Sequence, residues 1–231
     1  MHYTWTLEIV GSILELGFLL VPNPRELIKA LLRDPDFGER EPQDHGMVCF
    51  TELPIWRARR QTAGFGRYGV AVTWEWAKRH GARRVTYVPD HGPEFRMWSE
   101  RFCAARSDLA RRAAARPDGW WDLAVYSSHP AAVLGATAWS AVLQEYEYMQ
   151  TDRHAAEAEW RVVQSLPFSF STSEHKDQIE EALSMARMWR FTAVKLTPAD
   201  VRFLVAPRGE AAALRDAVPR SFGSTPIREV T

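Results

Sequence analysis

Only two cysteines occur in the 231 residues, Cys49 and Cys103, and they stand in segments of unrelated pattern with no metal-ligand spacing. No disulfide framework and no metal site are expected, and a reducing, cytoplasmic compartment fits best. Net charge is missing as well, since 29 Lys plus Arg balance 29 Asp plus Glu. No global field draws the chain to nucleic acid or to an anionic membrane, so any such attraction requires a local patch. There is also no run of about twenty uncharged apolar residues. Glu8 and Glu15 interrupt the first apolar stretch and no basic segment precedes it, so neither a signal peptide nor a membrane span is expected.

What is present suits a large core: 46% of residues are hydrophobic and 25% charged. No linker interrupts residues 1–231, and one domain is the default for that length. His2-Tyr3-Thr4 reads as a strand. Thr6 is placed to cap a helix carrying Ile9, Val10, Ile13, Leu14 and Leu16, with Gly17 as its stop. A second helix is predicted over Arg25–Leu32, then a charged loop from Arg33 to His45. Strands are predicted at Met47–Thr51, Tyr68–Trp74, Val85–Val88, Glu159–Val163, Phe191–Leu196 and Val201–Val205. Helices are predicted over Glu75–His80, from Pro93 onward, over Ala131–Tyr146, Asp177–Arg187 and Glu210–Ala217, while Ser169–Ser173 reads as a loop. Without a regular βαβ repeat, the fold class is α+β, with a mixed, mostly antiparallel sheet and flanking helices. The helical middle, about residues 93–146, carries no functional signal.

Three segments draw attention together: His2-Tyr3-Thr4 with its capped helix, Val48-Cys49-Phe50-Thr51-Glu52-Leu53-Pro54 followed by Tyr68-Gly69, and Glu157-Ala158-Glu159-Trp160-Arg161. Their order and spacing over roughly the first three quarters of the chain resemble the AbiGi-like abortive phage resistance proteins, a family labelled as an antitoxin of toxin-antitoxin pairs. More distantly, the plan is similar to ADP-ribosyltransferases of the DarT type. That likeness implies NAD as co-substrate and a macromolecular acceptor, nucleic acid or protein. It implies that His2, Tyr3 and Thr4 hold the nicotinamide end of NAD, that Phe50, Thr51 and Tyr68 shape the pocket, and that Glu159 or Glu157 is the catalytic carboxylate, with His2 also in the catalytic set.

The chemistry suits those residue types. Cleaving the bond from ribose to nicotinamide builds positive charge on the sugar, and a fixed carboxylate stabilises that charge better than water does. An imidazole and a hydroxyl can position the ribose while an aromatic ring stacks on nicotinamide. If 157–159 is extended, both carboxylates share one face. Arg57 and Arg60 belong to a dense basic segment suited to phosphate or nucleic-acid contacts, as does Arg161, which serves equally well as an ion-pair partner for either Glu.

Each motif also has a plainer reading. His2-Tyr3-Thr4 can be an edge strand, Cys49-Phe50-Thr51 a core strand, and the arginines Arg57, Arg59, Arg60, Arg67, Arg101, Arg106, Arg111, Arg112 and Arg116 solvated helix faces. Phe170-Ser171-Thr172-Ser173 and Gln178-Ile179-Glu180 mimic motifs of arginine-specific transferases, but too few residues separate them for the intervening strand. The alternatives to an NAD-using enzyme are a non-catalytic antitoxin that binds a cognate toxin or nucleic acid through its arginine-rich faces, and an RNase or other hydrolase using His and Glu.

Overall fold

The computed structural model describes residues 1–22, 26–33, 43–57, 64–114, 141–170 and 193–230. The expected helix over Asp177–Arg187, the Gln178-Ile179-Glu180 motif, Arg60 and most of Ala131–Tyr146 lie outside them. Within them the chain runs β1 (His2–Thr4), α1 (Leu7–Leu16), β2 (Phe18–Leu19), β3 (Val21–Pro22), α2 (Glu26–Leu32), β4 (Gln43–Thr51), β5 (Tyr68–Val72) and α3 (Trp74–Arg79). It continues through β6 (Arg83–Arg84), β7 (Thr86–Val88), α4 (Pro93–Ala114), β8 (Met149–Thr151), β9 (Glu159–Phe170), β10 (Ala193–Val194), β11 (Val201–Pro207), α5 (Ala211–Ala217) and β12 (Ile227–Val230). This is an α+β arrangement.

The expectation of one mixed sheet is corrected. Two four-stranded sheets form, in the orders β1-β5-β11-β12 and β3-β4-β9-β6, with short pairs β10-β2 and β7-β8 beside them. Pairing is antiparallel except between β11 and β12 and between β7 and β8. β1 pairs with β5, yet at its start Met1 exchanges backbone bonds with Thr51 at the end of β4, N to O at 2.6 Å and O to N at 2.7 Å. Those two bonds stitch the first sheet to the second.

Local sequence explains several boundaries. The Ile9 amide donates to the Thr6 hydroxyl, and Gly17, at φ 103°, ends α1. Trp74, expected in the strand, instead opens α3, because the Thr73 hydroxyl accepts from the Trp76 amide and caps the helix. Residues 43–45 and 169–170, expected in loops, are strand: Gln43 pairs with Phe170 and His45 with Ser165, so pairing partners rather than local composition set the length of β4 and β9.

The main core lies where α1, α3 and the two sheets meet. Phe18, Phe50 and Trp76 pack edge to face or tilted with centroids 5.1 to 5.4 Å apart, and Trp76 is fully buried with its Nε1 donating to the Lys195 carbonyl. Each such ring pair adds about 1 kcal/mol beyond its area burial. A second cluster joins α2, α4 and β8 through Leu27, Ile28, Leu31, Phe102 and Met149, with Leu143 and Tyr146 from the helical residues 141–146. No helix among the described residues is long and apolar enough to cross a membrane.

Gly17 and Gly81 both have positive φ, but they differ in space. A Cβ at Gly17 would sit 2.5 Å from the Val194 carbonyl oxygen, whereas one at Gly81 meets nothing within 4 Å. Gly81→Ala is expected to cost about 1 kcal/mol for the left-handed backbone alone. Gly17→Ala adds the collision with β10 and is expected to cost at least about 2 kcal/mol more. Urea unfolding of the two variants side by side measures the difference, and equal losses would refute the contact.

Candidate functional site

The stitch between Met1 and Thr51 forms one wall of a cavity of about 280 Å³. β1 contributes His2 and Tyr3, β4 contributes Cys49, Phe50 and Thr51, the segment leading into β9 contributes His154 and Glu157, and β9 itself contributes Glu159 and Arg161. Residues more than a hundred positions apart in the chain thus line one space.

His2 is half-buried between Phe18 and Phe50, with ring centroids at 5.2 and 5.9 Å. Its Nδ1 lies 2.9 Å from the Cys49 carbonyl oxygen. A carbonyl only accepts, so Nδ1 carries the proton and Nε2 presents a lone pair, with no partner among the described residues. Burial pulls the ring's pKa below its ordinary 6.5; the Cys49 bond opposes this and the nearby α-amino charge adds to it. The imidazole is therefore neutral at pH 7 and serves as a fixed acceptor.

Glu159 and Arg161 form a buried, two-pronged ion pair. Arg161 Nε donates to one carboxylate oxygen at 2.9 Å and Nη2 to the other at 3.1 Å. The remaining terminal nitrogen, Nη1, donates to the carbonyls of Glu147 and Met149 at 2.7 and 3.2 Å. Arg161 is 2% exposed, and each of its three nitrogens donates inside the protein. Its expected phosphate role is thus corrected: the guanidinium fastens β9 to β8 and neutralises Glu159.

Glu157 differs. The expected extended Glu-x-Glu does not form, because Glu157 ends a 3-10 helix (Asp152–Glu157) and Ala158 adopts a left-handed backbone, φ 46°, before β9 begins at Glu159. Glu157 and Glu159 are consequently not alternate residues of one strand, although both line the cavity. Glu157 is half-buried, and one of its oxygens lies 2.9 Å from His154 Nδ1. Among the described residues it meets His154 but no arginine, whereas both oxygens of Glu159 are held by Arg161.

The remaining expected residues separate into two groups. Phe50 and Thr51 line the cavity, with Thr51 Oγ1 donating to the Glu157 carbonyl at 2.6 Å and accepting from the Leu53 amide, so this hydroxyl shapes the wall. Tyr3 lines it too, though its ring packs with Ala71, Phe203 and Val205, and burial raises its phenol to about 12. Thr4 and Tyr68 are corrected: they pair with each other across β1 and β5, away from the cavity, and Tyr68 donates its hydroxyl to Glu210, which also binds Arg67. Arg57 lies in a 3-10 turn (Ile55–Arg57) and does not line the cavity. Burial, followed by the Glu159 charge, pushes the Cys49 thiol well above its usual range and leaves it protonated.

Comparison with family models, with curated proteins and with solved structures finds no match to this chain. Sequence reasoning missed His154, whose three-residue spacing from Glu157 is the helical signal for a facing pair. No group of three or more His, Cys, Asp or Glu among the described residues is placed to hold a metal ion.

Two outcomes follow from these contacts. Arg161→Met leaves Glu159 charged and unpaired in the interior and is expected to cost about 3 to 5 kcal/mol. The double variant with Glu159→Met should recover much of that loss in chemical denaturation, as a buried pair requires. For His2, the unfolded ring takes up its proton first as the pH falls below 6.5, so its contribution is complete above that value and is lost as the pH falls toward the lower folded pKa. His2→Asn keeps a donor for the Cys49 carbonyl and should flatten the stability profile below pH 6.5. An unchanged slope would contradict a buried neutral imidazole.

Proposed function

We propose that this chain is a phage-defence protein with an ADP-ribosyltransferase-like fold that uses NAD to modify a macromolecule. The observation that carries this reading is the convergence of His2, Phe50, Glu157 and Glu159 on one cavity bounded by the stitch between the sheets. The neutral His2 ring offers Nε2 to a hydroxyl or amide N–H of the ligand, and Phe50 offers an aromatic surface to the nicotinamide ring.

Glu157 takes the role of catalytic carboxylate. The bond from ribose C1′ to the nicotinamide nitrogen breaks with its electron pair departing on nicotinamide, and positive charge develops on the ribose. Glu157 meets no guanidinium among the described residues, only His154, and so answers that charge better than Glu159, which is paired with Arg161. Glu159 supports the wall from which Glu157 projects. An acceptor nucleophile then bonds to C1′ and loses its proton to a base.

The antitoxin reading drew on arginine-rich faces. Of those arginines, Arg67 is paired with Glu210 and Arg101 lies 4.7 Å over the Trp98 ring, which weakens that reading among the described residues.

Purified protein is expected to release nicotinamide from NAD or to transfer labelled ADP-ribose to nucleic acid or protein. Glu157→Gln should lower that rate by at least about a hundredfold with an unchanged unfolding midpoint. His2→Gln should mainly weaken NAD binding. No heat of binding at millimolar NAD, together with no nicotinamide release, would refute the proposal.

A further inference from the structure

On the other side of the Met1–Thr51 stitch lies a larger cavity of about 490 Å³, which shares Met1, Phe50 and Thr51 with the first but uses neither His2 nor Glu157. Its size falls within the range of cavities that enclose small organic ligands. We infer that it is a second binding site, for a planar aromatic ring carrying a carboxylate or phosphate.

The planar part follows from the walls. Trp74 opens α3 and is 48% exposed, and Trp160 stands edge-on to it with centroids 4.7 Å apart at 84°. Trp160 is held in place by its Nε1 donating to Glu52 at 2.8 Å. An exposed indole set against a fixed one presents an aromatic corner that a flat ring can enter and a bulky aliphatic group fills poorly.

The anion follows from the arginines. Arg67, Arg79, Arg84, Arg153 and Arg161 each meet a carboxylate. Arg202 and Arg228, which line this cavity, meet none among the described residues. Arg228 is nevertheless oriented, with its guanidinium carbon 4.3 Å from the Phe203 ring centre. The register shift between Val201 and Phe203 breaks the alternation of β11, and consecutive residues Arg202 and Phe203 both line the space. Among the described residues that line the cavity the one acid, Glu52, is taken up by Arg84 at 2.7 Å and by Trp160. The net charge facing a ligand is therefore positive, beside an aromatic wall.

The test is a titration of the protein by tryptophan fluorescence and calorimetry with 5′-AMP and with indole-3-acetate, which separate a nucleotide source from an aromatic acid. Adenosine and inorganic phosphate serve as half-ligands. At least one of the two aromatic anions should bind saturably, at least about tenfold more tightly than either half-ligand. The double variant Arg202→Gln, Arg228→Gln should weaken it by about tenfold or more, and Trp74→Ala should weaken it as well. Both arginines are exposed, and an unchanged urea midpoint confirms that the fold is kept. Arg153→Gln, elsewhere on the surface, should have no effect. Binding should persist in Glu157→Gln, which separates this site from the NAD reading. No saturable binding, equal affinity for adenosine, or insensitivity to the arginine pair would overturn the inference.

Discussion

Two backbone hydrogen bonds between Met1 and Thr51 govern the arrangement of this protein. β1 belongs to the first sheet by its pairing with β5, while Met1, the residue before it, is held by the last residue of β4 in the second. Backbone groups withdrawn from water must find partners, and here each end of the bond pair satisfies the other. The wall so formed has a cavity on each side, and Phe50 and Thr51 face both.

A second constraint is the buried pair of Glu159 and Arg161. Isolated burial of either charge is costly, and their mutual attraction offsets this only because the guanidinium also satisfies the carbonyls of Glu147 and Met149. The pair thereby fixes the start of β9 against β8 and sets the point from which the left-handed Ala158 turns Glu157 aside. Glu159 is tied to the interior by Arg161, while its neighbour Glu157 pairs with His154 at the cavity. Sequence proximity alone gives no hint of that division, since both residues are Glu and both precede the same Trp-Arg.

Local signals were legible where local forces decide. Thr6 and Thr73 cap helices because a hydroxyl two or three residues ahead of free amides satisfies them in any context. Gly17 was legible as a stop for the same reason. The extension of β4 to Gln43 was not, because that strand exists through pairing with β9, more than a hundred residues later. Within the site, His2, Phe50, Thr51, Glu157 and Glu159 were named from motif order and do line one cavity. Thr4 and Tyr68 were misplaced because the direction of a strand, not its composition, decides which residues reach the cavity.

The sequence by itself determined the α+β class, the helix caps, the lack of a membrane-length apolar helix among the described residues, and the short list of groups able to do chemistry at neutral pH. Those follow from side-chain type and spacing along the chain. Only the tertiary structure decided that the strands divide between two sheets, that Arg161 is consumed internally, that the His2 ring is held neutral by burial, and that Arg202 and Arg228 meet no carboxylate among the described residues. Desolvation and charge pairing depend on what lies within a few ångströms in space, and segments far apart in the chain supply those neighbours.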